Sequence, residues 1–212
     1  MPTLRRAGTD DADFIVGAIL AAQRGHRSRG WFDIALNWPE PRCRALLRAI
    51  ATHPITSCWH VSLFWIAEVE GTPAAALCAL PSAGVGAATR AVLQQALRDA
   101  EIEPAEQSAI DQRGAYLRSC WMPGDDANWF IEHVATLPSY RGQGLMQALL
   151  AQALEEGAAA GHRRASITFY IGNAAAERCY AKAGFVAVEE KRHPEFERST
   201  GATGFRRVER AI

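Results

Sequence analysis

The chain has 212 residues, of which 49% are hydrophobic and 22% are charged. This is the composition of a globular protein, and it excludes disordered, fibrous and collagen-like chains. The 23 Lys and Arg residues balance the 23 Asp and Glu residues. Because a net charge of zero creates no basic field to attract nucleic acid, we expect no nucleic-acid partner. The length favours one enlarged domain.

The cysteines are odd in number, and no two of them form a C-x-x-C pair. They are Cys43, Cys58, Cys78, Cys120 and Cys179. This pattern predicts reduced thiols, as in the cytoplasm. No apolar segment approaches the roughly 18 residues of a membrane span, and the first residues lack the apolar region of a secretory signal. We therefore expect a cytoplasmic protein with no membrane partner.

The first third of the chain predicts a short strand followed by two helices. The strand is Thr3–Arg6, and Thr9 is the expected N-cap of the first helix because acidic residues follow it. Apolar residues then recur at helical spacing. They are Phe14, Ile15, Ala18, Ile19 and Ala22. A tryptophan-containing segment leads to the second helix, predicted over Arg42–Thr52.

Two apolar runs, Val61–Glu70 and Thr72–Leu80, are separated by Gly71, which predicts two strands joined by a tight turn. Residues 81–126 are too long for a plain loop and show helical patterning, so we expect an inserted helical hairpin there. A second inserted segment covers about residues 25–60. We therefore predict a single domain over residues 1–212 with these two insertions.

The second half of the chain alternates strands and helices. Strands are predicted at Trp129–Leu137 and Arg164–Ile171, with a strongly periodic helix between them. Asn173 is the expected N-cap of another short helix, and Gly184 is expected to end it. Two closing strands, Phe185–Lys191 and Thr203–Glu209, follow. This order predicts an α/β or α+β domain with both faces of its sheet covered.

A glycine-rich turn, Arg141-Gly142-Gln143-Gly144-Leu145-Met146, stands between a predicted strand and a predicted helix. Small residues let the backbone approach a ligand closely, and the free N–H groups of a helix start favour phosphate. The dinucleotide motif G-x-G-x-x-G fails because Gln147 occupies its last position, and no G-K-[ST] follows. A glycine pair before a helix is also common in plain turns, so the motif alone leaves both interpretations open.

A second segment, Asn173, Ala176, Tyr180, Gly184 and Phe185, forms the pattern N-x-x-A-x-x-x-Y-x-x-x-G-F. Together with the glycine turn it resembles the GNAT superfamily of acyl-CoA-dependent N-acyltransferases, over roughly Trp129–Val188. The resemblance implies a mixed, mostly antiparallel twisted sheet with helices on both faces and a splayed central strand pair. It also implies acetyl-CoA as co-substrate.

The resemblance further implies where the cofactor binds. The pyrophosphate would lie on the backbone amides of Arg141, Gly142, Gln143, Gly144, Leu145 and Met146. The pantetheine arm would pair, like an added strand, with the backbone of Val134, Ala135 and Thr136. Asn173 would contact the cofactor arm besides capping its helix. The chain departs from the family pattern at Met146, where a small residue is usual, so a larger side chain stands at the start of the helix that would approach the phosphates.

Two candidates for catalytic roles come from the same resemblance. Tyr180 matches the position of the general acid that protonates the leaving sulfur, although its place on the helix also suits simple packing. A backbone N–H near Val134 would stabilise the oxyanion. Strand alternation places Glu132 on the same face as Val134 and His133 on the other. Glu132 is therefore the candidate base, the alternative being a partly buried glutamate held by an arginine, and His133 ranks second.

The inserted segments of the chain indicate what kind of acceptor we expect. Three tryptophans, Trp31, Trp38 and Trp121, fall in the inserted segments. They are expected either to wall a pocket for a small-molecule primary amine or to bury core surface or a homodimer interface. Direct attack in a ternary complex is expected. A peptide or protein acceptor and a non-catalytic acyl-CoA-binding module are the alternatives. The six histidines show no metal-ligand spacing, so no metal is expected.

Overall fold

The fold is a seven-stranded sheet with helices on both faces. In the computed structural model, residues 2–82, 85–123 and 128–212 are described. The strands follow the order β1-β2-β3-β4-β5-β7-β6, and every neighbouring pair is antiparallel except β4 with β5. The strands are β1 (Thr3–Arg6), β2 (Phe64–Val69), β3 (Thr72–Pro81), β4 (Asn128–Thr136), β5 (Arg164–Tyr170), β6 (Val186–Arg192) and β7 (Gly204–Ala211). The predicted mixed, mostly antiparallel sheet is confirmed.

Helices cover both faces because β3 is apolar on both. Its odd-numbered residues from Ala75 pack with the helix Leu145–Ala159, and its even-numbered residues from Ala76 pack with the helices Ala12–Arg24, Glu40–Ala51 and Val85–Asp99. In the described residues the helices are α1 (Ala12–Arg24), α2 (Trp31–Ala35), α3 (Glu40–Ala51), α4 (Val85–Asp99), α5 (Pro104–Gly114), α6 (Leu145–Ala159), α7 (Ala174–Lys182) and α8 (Pro194–Thr200). None of them has the length and apolarity that a membrane span requires.

The central strands β4 and β5 diverge. They pair in parallel only where Asn128–Phe130 lies beside Arg164–Ser166. Beyond Phe130, β4 continues for six more residues to Thr136 while it remains paired with β3. The predicted splayed central pair is thus confirmed, and the separation of the two strands opens a cleft between them.

The predicted cap of the first helix is wrong. The helix begins at Ala12, after a 3₁₀ turn over Thr9–Asp11, and Thr9 makes no capping bond. Instead, the Asp11 carboxylate accepts a hydrogen bond from the Gly8 N–H at 2.8 Å and pairs with the Arg5 guanidinium at 2.7 Å. Because its charged carboxylate forms stronger hydrogen bonds than a hydroxyl does, Asp11 and not Thr9 fixes the 3₁₀ turn before the helix.

The predicted helical hairpin corresponds to α4 and α5, while residues 83–84 and 124–126 of that predicted insertion lie outside the described residues. Two short helices were not predicted. Helix α2 begins where the Asp33 carboxylate accepts from the Gly30 N–H, and α8 begins where the His193 ring accepts from the Glu195 N–H. Both depend on side-chain caps within segments too short to show periodicity.

Candidate functional site

The cleft between β4 and β5 has a volume of about 820 Å³, within the range of small-molecule sites. Its walls come from β4, β5, α7 and the glycine turn. The carboxyl end of α1 also lines the cleft, together with Leu117, Trp121 and Met122. The cleft therefore joins both motifs of the sequence in one cavity.

The glycine turn has the backbone conformation that its sequence predicts. Gly142 and Gly144 both have φ of +79°, a left-handed conformation that side chains other than glycine rarely adopt. Gly144 is the N-cap of α6, and open space lies beside both glycines. Because the first N–H groups of α6 have no acceptor within the helix, they are available to an anion in the cleft.

Met146 does not obstruct this turn. Its side chain is 9% exposed and packs in the cluster that α6 forms with the sheet. The departure from the family pattern is therefore accommodated in the core.

One edge of β4 is free along the cleft. Ala135 and Thr136 pair with Ala76 and Ala75 of β3, and β5 has already diverged on the other side. Asn173 lines the same cleft, and its side-chain oxygen accepts the Ala176 N–H at 3.2 Å. Its predicted capping role is confirmed, and an extended ligand arm has room to pair with β4 beside it.

A β-bulge at His133 overturns the predicted alternation along β4. Cys78 lies opposite Glu132 whereas Ala76 lies opposite Ala135, so β4 contains one extra residue, and His133 has φ of +51°. As a result Glu132 and His133 lie on the same face, where His133 stacks on Phe64. Val134 packs on the opposite face, so the prediction that Glu132 and Val134 share a face is wrong.

Glu132 lines the cleft, and solvent in the cleft reaches 37% of its side chain. Protein atoms nevertheless surround the carboxyl group closely, and this burial raises its pKa to about 7. The predicted alternative of a glutamate held by an arginine has no support among the described residues, because the ionisable side chain found beside the Glu132 carboxyl is the His133 ring, at 4.0 Å.

His133 is an almost fully buried ionisable group beside Glu132. Only 4% of its side chain is exposed, and burial lowers its pKa to about 4. Within the described part of the chain its Nε2 atom has no hydrogen-bond partner. The Sγ of Cys58 lies close by, so that one donor atom from each of Cys58, Glu132 and His133 lies within 4.8 Å of the others.

Tyr180 has one side in the core and one in the cleft. Its ring packs edge-on against Phe169 and Phe185, with centroids 5.3 Å and 6.3 Å away. The residue also lines the cleft, and burial raises the pKa of its phenol. Packing and proton donation are thus compatible at Tyr180.

Gly184 ends the helix α7, as predicted. It has φ of +83°, and the Phe185 N–H donates a hydrogen bond back to the Tyr180 carbonyl.

The three tryptophans separate into two groups. Trp121 is 54% exposed and lines the cleft. The indole of Trp31 donates to the Gly114 carbonyl at 3.4 Å, and that of Trp38 donates to the Glu106 carboxylate at 3.3 Å. Trp31 and Trp38 therefore join α5 to residues 31–38 and pack against the core, which agrees with the predicted alternative of buried core surface, while Trp121 lines the cleft.

Sequence reasoning missed several residues that the fold brings to the cleft. Arg178 and Lys182 of α7 are one turn apart and add two cations to its wall, and His26 reaches it from the end of α1. The spacing of Arg178 and Lys182 within the second motif was a usable signal. Cys58, which lies beside Glu132 but outside the cleft lining, gave no such signal, because it is far from Glu132 in the sequence.

Comparison with known proteins agrees with this arrangement. The model of the acetyltransferase (GNAT) family matches residues 29–185. A solved acetyltransferase is 16% identical with a TM-score of 0.73, covering 99% of both chains. An N-acetyltransferase from Staphylococcus aureus Mu50 is 20% identical with a TM-score of 0.70, covering 99% of this chain and 100% of that one.

A third solved structure is a polyamine N-acetyltransferase of Drosophila melanogaster that catalyses the formation of N-acetylagmatine. It is 12% identical with a TM-score of 0.56, and the match covers 100% of both chains. A search of curated proteins finds no match. At these identities the solved structures establish the fold, while the family model spans most of the chain. The protein is therefore an acyltransferase that belongs to the acetyltransferase (GNAT) family.

Proposed function

We propose that the protein transfers an acetyl group from acetyl-CoA to the primary amine of a small molecule, by direct attack in a ternary complex. A single domain, residues 1–212 with insertions at about 25–60 and 81–126, would carry the site. The observation that supports this best is that Glu132, Tyr180 and the glycine turn line one continuous cleft.

The cofactor would occupy the half of the cleft nearest α6. Backbone amides from Arg141 to Met146 hold the pyrophosphate, and the free edge of β4 at Val134, Ala135 and Thr136 pairs with the pantetheine arm. Asn173 adds a contact from the start of α7. This placement leads the thioester towards the bulge at His133, where β4 and β5 have separated.

An amine attacks a thioester only as the free base, so a proton must leave the acceptor first. In the proposed reaction the Glu132 carboxylate accepts that proton, directly or through water. The amine nitrogen then bonds to the carbonyl carbon, and a backbone N–H near Val134 stabilises the oxyanion. As the carbon–sulfur bond breaks, the Tyr180 hydroxyl donates its proton to the leaving sulfur, and the second proton that the nitrogen loses on forming the amide passes through water to restore the Tyr180 hydroxyl.

The acceptor would enter from the opposite end of the cleft. The residues there are largely aromatic or apolar, and they include Trp121, Met122 and Phe205. Such a lining suits a compact molecule better than an extended peptide. The fold similarity to the Drosophila polyamine N-acetyltransferase is consistent with a small amine.

All five cysteines are free thiols, and we propose that the enzyme works in the reducing cytoplasm.

The direct test combines binding with turnover. Calorimetry measures acetyl-CoA affinity, and release of free coenzyme A thiol is then followed over a panel of small primary amines and amino-terminal peptides. We expect binding together with thiol release that requires a small amine. Release only with peptides would assign the acceptor to the protein class, and binding without release would indicate a non-catalytic acyl-CoA-binding module.

Replacing Gly144 by alanine should weaken acetyl-CoA binding about tenfold. An alanine at positive φ costs on the order of 1 kcal/mol, and relaxing that strain turns the amides of the helix start away from the phosphates. Gly161→Ala is the matched control, because Gly161 has φ of +85° and open space around it but lies after α6. Calorimetry should show reduced affinity for Gly144→Ala alone. Equal affinities for the two variants would remove the turn from the cofactor site.

A further inference from the structure

Three side chains with different donor atoms meet beside the cleft, where Glu132 and His133 line the cleft and Cys58 lies against them. Cys58 comes from the loop before β2, while Glu132 and His133 come from the bulged part of β4. Their ligand atoms, a sulfur, a carboxylate oxygen and an imidazole nitrogen, all lie within 4.8 Å of one another. Thiolate, imidazole and carboxylate are the three ligand types that zinc uses in proteins.

The imidazole provides a second, independent observation. The His133 side chain is 96% buried, the complement of its 4% exposure, and its Nε2 has no hydrogen-bond partner among the described residues. A buried ring nitrogen without a partner is costly and requires an explanation. Nε2 lies 4.0 Å from the Glu132 carboxylate, too far for a hydrogen bond but close to the separation of two ligands on one ion.

The surrounding structure fixes the directions of these donors. The Cys58 N–H donates to the Thr89 hydroxyl of α4 at 3.0 Å, which holds the loop against the inserted hairpin. The bulge and the stacking on Phe64, with ring centroids 5.9 Å apart, orient His133. Tertiary contacts therefore hold Cys58 and His133 in positions where their donor atoms lie close together.

We propose that Cys58, Glu132 and His133 bind one Zn²⁺ ion, with the fourth position open to the cleft. Zinc–ligand distances of about 2.0–2.3 Å place tetrahedral ligands roughly 3.3–3.8 Å apart, so donors that lie within 4.8 Å of one another need to approach by at most about 1.5 Å. On binding, the Cys58 thiol releases its proton to solvent and its sulfur bonds to the ion. Magnesium and calcium, which require oxygen ligands, do not bind there.

Zinc in this position would inhibit acetyl transfer. The ion occupies the carboxylate that accepts the proton of the amine, and it blocks the adjacent part of the cleft. This consequence rests on the proposed function, whereas metal binding itself does not. The site would thus make the enzyme sensitive to free zinc and insensitive to magnesium.

Cobalt substitution tests the site without any assay of activity. Co²⁺ added to the purified protein should give an absorption band from thiolate-to-cobalt charge transfer and the intense visible bands of a tetrahedral ion, and one equivalent of Zn²⁺ should abolish both. Cys58→Ser should lose the charge-transfer band, and calorimetry should show about a hundredfold weaker zinc binding. Cys179→Ser is the matched control, because Cys179 is likewise a half-buried free thiol but lies outside the cluster.

His133→Asn provides a second variant, since asparagine tolerates the left-handed backbone at this bulge. It should also weaken zinc about a hundredfold, and its thermal unfolding shows whether it is folded. Metal-free Cys58→Ser should retain amine acetylation and resist zinc inhibition. Unchanged zinc affinity in folded Cys58→Ser would overturn the site. A cobalt–thiolate band in a protein that acetylates no amine would support the site and overturn the proposed function alone.

Discussion

Replacing Glu132 by glutamine should lower the turnover number for amine acetylation about 10²- to 10⁴-fold, the usual contribution of a general base. Glutamine has nearly the same size and still forms hydrogen bonds, but its amide cannot accept the proton of the amine. Acetyl-CoA affinity should change little, because the glycine turn and the free edge of β4 hold the cofactor in the proposed reaction. Steady-state thiol release gives the turnover number, and calorimetry gives the affinity.

Glu155→Gln is the control for this variant. Glu155 is an exposed residue of α6, so its replacement removes the same charge without touching the cleft. It should retain full turnover. If Glu132→Gln kept more than half of the wild-type rate, Glu132 would not be the base, and His133, the second candidate on the same face, would take its place in the mechanism.

The sequence predicted those parts of the site that depend on local backbone chemistry. Gly142 and Gly144 adopt positive φ because the turn into α6 requires it, and Asn173 caps α7 through its own side chain. Gly184 ends the same helix in a left-handed conformation. Each of these features needs only a few neighbouring residues, so a short motif is sufficient to predict it.

The wall that carries Glu132 could not be predicted in the same way. A one-residue bulge reverses the face of every later side chain, yet no residue type marks it, because the bulge depends on how β4 pairs with β3. Cys58 reaches the site through a loop held by Thr89 of the inserted hairpin. The bulge and the position of Cys58 both depend on contacts between residues that are distant in the sequence. The periodicity of a single strand contains no information about such contacts.

The tryptophans illustrate the same limit at the acceptor end. Trp31, Trp38 and Trp121 are the same residue type, and all three lie in inserted segments. Only tertiary packing separates the exposed Trp121 in the cleft from the two that donate hydrogen bonds to α5 and its end. A large aromatic residue in an insertion thus predicts burial of apolar surface, but it does not predict which surface.

Replacing Tyr180 by phenylalanine should lower the rate of acetyl transfer about a hundredfold and leave acetyl-CoA affinity unchanged. Only the hydroxyl is lost, so the ring keeps its contacts with Phe169 and Phe185 and the thermal unfolding temperature should stay close to that of the wild type. Because burial raises the pKa of the phenol above its ordinary value of about 10, the wild-type hydroxyl stays protonated at neutral pH and can act as a donor.

The measurement should isolate the chemical step, since product release limits turnover in many enzymes. Rapid mixing of an acetyl-CoA complex with a saturating amine, followed by chemical quenching, gives the single-turnover rate. Tyr140→Phe is the matched control, because Tyr140 also lines the cleft but precedes the glycine turn. We expect the rate to fall in Tyr180→Phe alone. An unchanged single-turnover rate would assign Tyr180 to packing, and the leaving sulfur would then take its proton from solvent or depart as the thiolate.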